Sequence, residues 1–168
     1  MASPITGRTA APSLQLSQAH NELRRRLTGV RSALGRRHQR ADDSLLAHCL
    51  AYCSALTNHH QGEDEGLFAA LVRERPDLAP TVAKLVEDHG LIATLLARVR
   101  ELAEQAAGKD GADLEAIARE LDGLAAIMES HFGYEERAIG AALDAAVHAG
   151  GGWTQPVLRF RAPQKPSP

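Results

Sequence analysis

The stretch "MESHFGYEER", residues 128–137, carries an apolar helical repeat up to its edge and then breaks it. Stepping by three and four residues from Leu114 gives Ile117, Leu121, Leu124 and Met128, the stripe of an amphipathic helix. The next two positions on that stripe are His131 and Glu135, before Ala138 resumes it. An unpaired carboxylate on a core stripe costs several kcal/mol, so this seam needs a partner that leucine would not.

The rest of the chain has the same texture. Apolar residues recur at helical spacing over about Leu14–Leu34, Leu45–Val72, Val82–Leu102 and Leu114–Val147. "GRRHQRADD", "RERPDLAPT" and "GKDGAD" separate them with the Gly, Pro and Asp signals of helix ends. No stretch alternates with period two for long enough to make a strand. Short connections between long helices predict an all-α, up-down-up-down antiparallel four-helix bundle. We place it at residues 13–149, after a flexible start at 1–12 and before a tail at 150–168, where "GGGW" interrupts helical periodicity.

Composition removes several function classes. The 168 residues suit one domain, and a formal charge of −2 gives no one-signed field to draw nucleic acid or an anionic membrane. Aromatic residues make up only 4 %, too few for a base-stacking surface. The first residues show neither a basic n-region nor a long apolar run, so a cytoplasmic location with no membrane partner is expected. Cys49 and Cys53 lie four apart on a helical stretch and read as small core residues.

The other three seams repeat the break. Helix 1 gives Leu16, His20, Leu23, Leu27, Val30 and Leu34; helix 3 gives Val82, Leu85, His89, Ile92, Leu96 and Val99. On helix 2 the seam reads Leu45, His48, Tyr52, Ala55, His59, Glu63 and Leu67. Six residues, His20, His59, Glu63, His89, His131 and Glu135, thus face one interior. Imidazole and carboxylate are ligands for divalent and trivalent metal ions. In a His-x-x-x-Glu pair the two side chains sit about 40° apart around the helix and about 6 Å apart along it, within reach of one bimetallic centre. The segments "HHQGEDEGLF" and "HFGYEERAIG" also align without a gap, placing His59 on His131 and Glu63 on Glu135. Approximate two-fold symmetry follows.

The order His, His-x-x-x-Glu, His, His-x-x-x-Glu resembles the hemerythrin-like proteins of the HHE cation-binding family. Ferritin-like di-iron bundles instead use Glu-x-x-His. The resemblance spans about residues 13–148 and implies a four-helix bundle with two iron ions in an oxo- or hydroxo-bridged centre. By carry-over, His20 and His59 would serve one ion and His89 and His131 the other, with Glu63 and Glu135 bridging. The ligand would be a small molecule, O2, H2O2 or NO. For stand-alone members with this pattern the resemblance suggests peroxide decomposition, a catalase-like oxidoreductase activity; the alternative is reversible O2 or NO binding, or iron or oxygen sensing and storage, without turnover. Oligomeric state is not set by the sequence.

One departure matters. Oxygen-carrying hemerythrins have a second histidine four residues away on helix 3, where this chain has Leu85 and Ala93. That opens a coordination position to water, substrate or another side chain. Tyr52 and His60 are the candidates for an extra ligand or a pocket residue. His48 is expected as a core histidine, Asp64 and Glu136 as residues facing water or a basic side chain, and Tyr134 either as a hydrogen-bond donor near the site or as a packing residue.

Overall fold

The computed structural model describes residues 10–36, 43–106 and 114–148. The chain forms α1 (Pro12–Arg36), α2 (Asp43–Gly62), a π-helical segment (Glu63–Leu67), α3 (Phe68–Glu74), a 3-10 turn (Pro76–Leu78), α4 (Ala79–Ala106) and α5 (Leu114–His148). The second predicted helix is therefore one rod, α2 through α3, with a π segment inside it. Four rods result, with no strand among the described residues. Of the expected start at 1–12, residues 1–9 lie outside those described and Pro12 already opens α1; the expected tail at 150–168 lies outside them.

The rods pack in a ring: α1 lies on α2 and α5, and α4 lies on α2 and α5. Contacts at the two ends fix the directions. Ser13 at the start of α1 donates from its backbone N–H and its hydroxyl to the Asp144 carboxylate near the end of α5, at 2.9 and 2.6 Å, while Arg31 reaches Asp122. Likewise His89 meets His131 and Arg98 meets Glu120, so α5 runs antiparallel to both neighbours. Asp144 also places a negative charge at the positive end of the α1 dipole, and Pro12 opens α1 where its missing N–H is harmless.

The predicted seams are buried except on α2 and, in part, at Leu114 and Ala138 on α5. On α2 the buried stripe runs Leu45, Cys49, Tyr52, Leu56, His59 and Glu63, with Leu46, Cys53 and His60 beside it. His48 falls outside that stripe and is exposed, so it is not the expected core histidine. The stripe turns through Cys49 and Leu56 rather than through His48 and Ala55. Cys49 and Cys53 are buried free thiols, in the small-residue role assigned to them.

The core has two apolar parts. One contains Leu23, Leu27, Tyr52, Leu56, Ile92, Leu96, Leu124 and Met128 among others; the other contains Leu16, Phe68, Leu71, Leu85, Ile139 and Leu143. His20, His59, His60, Glu63, His89, His131 and Glu135 are the buried polar residues of the described chain. They occupy levels on each rod between the two apolar parts. No helix among the described residues is long and apolar enough to cross a bilayer.

Candidate metal centre

Each rod brings its polar break to the same level. Glu63 Oε1 lies 3.0 Å from His59 Nε2 and 3.9 Å from His20 Nε2, while its Oε2 lies 3.6 Å from His89 Nε2. Glu135 Oε2 lies 3.4 Å from His20 Nε2 and 3.7 Å from His131 Nε2. His89 Nε2 and His131 Nε2 are 3.1 Å apart. Both carboxylates thus stand between the pair His20/His59 and the pair His89/His131. Glu63 and Glu135 are fully buried, and none of the four histidines is more than 7 % exposed.

The π segment sits where the first carboxylate must be placed. The Phe68 N–H bonds to the Glu63 carbonyl, five residues back, so the backbone takes an extra residue into that turn. On α5 the corresponding "HFGYEERAIG" remains regular α-helix. The two aligned segments are therefore not equivalent in backbone.

The residue after each glutamate takes part as well. Glu136 Oε1 lies 2.8 Å from His20 Nδ1, and Asp64 Oδ1 lies 2.7 Å from His89 Nδ1. A carboxylate only accepts, so Nδ1–H donates in both cases and Nε2 is the nitrogen turned to the interior. Glu136 is also 3.2 Å from Arg24, which ties Arg24 to the site's edge. Asp64 and Glu136 are both partly exposed, and Glu136 has Arg24 as a basic partner, as expected; beyond that expectation, each also binds a histidine across a helix interface. Their position next to the motif glutamates was a signal in the sequence, but a direction about 100° away round the helix concealed which neighbour they would meet.

Electrostatics show how poorly these groups suit one another without a cation. Burial pushes His20 down, yet Glu135 and Glu63 raise it to about 9. Burial and the charge of Glu63 raise Glu135 to about 7. For Glu63 burial opposes ionisation, and His59 and His20 overcome it and hold it well below the ordinary carboxylate range. Burial and the neighbouring His89 lower His131 to about 4 and His60 to about 2. Many interior atoms also lack a hydrogen-bond partner: both oxygens of Glu63 and of Glu135, and Nε2 of His20, His59 and His60. Such orphans are rare in a folded interior, and they converge as ligand atoms do. Three triads bring ligand atoms within 4.8 Å of one another: His20/His59/Glu63, Glu63/His89/Glu135 and His60/His89/His131.

The sequence from α1 to α5 matches the hemerythrin HHE cation binding domain over residues 12–143. The chain belongs to that family. No curated protein and no solved structure gives a match. For this hemerythrin-family chain the family match and the buried His/Glu layer agree on cation binding.

The two extra candidates separate. His60 is buried, its ring stacked on His89 at 3.9 Å between centroids, and it joins His89 and His131 in one of the triads. Tyr52 is buried but belongs to none of the triads, and its hydroxyl has no partner; burial raises it above the ordinary phenol range. It lines a cavity with Phe132 and Met128. Tyr134 is exposed at 38 %.

Proposed function

We propose that the six side chains hold two iron ions and that the protein decomposes hydrogen peroxide. The observation that carries the reading is Glu63, within 4 Å of histidines from both pairs, with Glu135 in the matching position opposite. A carboxylate placed in this way would hold both cations, whose charge would offset the cost of burying it. His20 and His59 would serve one ion, and His89 and His131 the other. Bound iron supplies a reversible redox couple, and two ions together match the two-electron change between peroxide and either water or O2.

The chain's own residues supply the rest. Asp64 and Glu136 accept the Nδ1 protons of His89 and His20 and so keep each Nε2 lone pair directed inward. Phe132 stacks on His20 at 3.9 Å, and Phe68 stacks against His89 at 5.6 Å, and these rings exclude bulk water. His60, held neutral by burial, keeps an Nε2 without a partner and stacks on His89. Leu85, not histidine, occupies the buried place one turn before His89, which supports an exchangeable position. Such a sealed layer admits small molecules only.

Oxygen evolution from H2O2 tests the proposal. Iron-loaded protein is expected to release O2 over many cycles without added reductant, and metal-free protein to release none. Stoichiometric peroxide consumption, with reversible O2 or NO uptake by the reduced protein, would instead establish a carrier or sensor.

A further inference from the structure

α2 packs against both α1 and α4, and two consecutive residues on it turn to those two neighbours. The His59 ring meets His20 of α1 edge-on, 5.1 Å between centroids. His60 lies about 100° further round the helix. Its ring stacks on His89 of α4 at 3.9 Å and meets His131 of α5 edge-on at 5.3 Å. One ring nitrogen each of His60, His89 and His131 lies within 4.8 Å of the other two. His60 is only 5 % exposed, and its Nε2 is fully buried with no hydrogen-bond partner. Burial holds the ring neutral, and a neutral imidazole keeps one nitrogen lone pair free for a ligand bond.

The internal repeat shows what packing alone asks of this position. In the aligned segments "HHQGEDEGLF" and "HFGYEERAIG", His60 falls on Phe132. Phe132 stacks on His20 at 3.9 Å with the planes 15° apart, and His60 stacks on His89 at 3.9 Å with the planes 11° apart. A phenyl ring therefore suffices for the stack, and the histidine adds a buried nitrogen that packing does not need. Buried polar groups nearly all find hydrogen bonds, and a ring stack supplies none. α4 gives His89 no second donor one turn away, where Leu85 and Ala93 stand. We propose that His60 is an additional protein ligand, joining His89 and His131 on one metal ion while His20 and His59 serve the other. The two ions then differ, three imidazoles holding one and two the other, with Glu63 and Glu135 common to both. The assignment rests on the two-ion reading and makes the centre unequal where the motif alone is symmetric.

The test uses the full chain labelled with 15N in histidine and titrated with zinc, a diamagnetic probe of the donor set. Two-bond 1H–15N spectra separate a metal-bound ring nitrogen from both the protonated and the bare nitrogen of a neutral ring. His60 Nε2 is expected at the metal-bound position, together with one nitrogen each of His20, His59, His89 and His131. Its signals are those missing from His60→Phe, or from His60→Gln should the phenyl variant not fold. His60→Phe keeps the stack, as Phe132 does in the other half, and should surrender one zinc ion to a chelator at least about tenfold more readily, no less than the loss of an outer partner costs. A purely structural histidine would move neither readout. If His60 Nε2 keeps the shift of an unbound ring while the other four histidines move, or if His60→Phe retains wild-type affinity for both ions, the proposal is overturned and the two-ion reading stands. If no histidine moves and no zinc is retained, both are overturned.

Discussion

Glu136 holds the Nδ1–H of His20 at 2.8 Å, and it is the residue directly after Glu135 on α5. Asp64, directly after Glu63, does the same for His89 at 2.7 Å. Each His-x-x-x-Glu pair thereby also orients the lone histidine of another rod. Removing such a partner of a metal-binding histidine costs roughly 10- to 100-fold in metal affinity. Asp64→Ala and Glu136→Ala are expected to lose that much in a competition titration against a chelator, with Asp64→Asn and Glu136→Gln recovering part of it. Wild-type affinity in both alanine variants would show that these bonds do not position the histidines.

Glu63→Ala and Glu135→Ala remove the groups placed between the two histidine pairs. Each variant is expected to lose one or both metal ions while keeping its helical circular dichroism, since truncating a buried carboxylate also removes a desolvation cost. Metal analysis after gel filtration reads the outcome. Undiminished content in both variants would reject the bridging assignment.

The fold was legible because four apolar stripes with punctuated ends leave few alternatives to a bundle, and the stripes predicted for α1, α4 and α5 are buried almost residue for residue. The site was legible for a related reason: six polar residues interrupt those stripes. Asp64 and Glu136 were not, because their direction depends on how neighbouring rods are rotated, which no single helix reveals. His48 misled because steps of three and four allow two paths along α2, and packing chose the one through Cys49 and Leu56. The π segment at Glu63–Leu67 had no signal beyond Gly62 before it and Gly66 within it.

Stability of the metal-free protein should peak at about pH 6–7. His20 is raised to about 9 and Glu135 to about 7; the folded state holds their protons more tightly, so stability falls as pH rises through the ordinary values toward those raised ones. His131 and His60 are lowered to about 4 and about 2, so the unfolded chain binds protons first and stability also falls below about pH 6.5. Bound metal replaces the protons on the alkaline side and stabilises the fold by linkage. Thermal melts across pH are expected to show a higher Tm for the loaded protein and a weaker alkaline decline. Identical curves with and without bound metal would contradict a buried site made of these groups.

Leu85 and Ala93 flank His89 by one turn on either side, and the structure separates them. Leu85 is fully buried, whereas Ala93 is exposed. Leu85→His is expected to add an imidazole on the buried side of α4, to lower peroxide turnover and to weaken azide binding with metal content retained. It should also destabilise the metal-free chain by about 1–3 kcal/mol by placing a polar group in an apolar cluster. Ala93→His should leave azide binding unchanged. Equal effects in both would mean that added histidine acts through something other than the metal layer.

The central claim is a two-iron centre held by His20, His59, Glu63, His89, His131 and Glu135. Iron per chain, measured together with the optical spectrum of the oxidised protein, tests it most directly. The account predicts two irons per chain and the near-ultraviolet charge-transfer bands of an oxo-bridged pair, shifted by azide. A single ion per chain, or full occupancy by zinc with no such bands after iron loading, would contradict it.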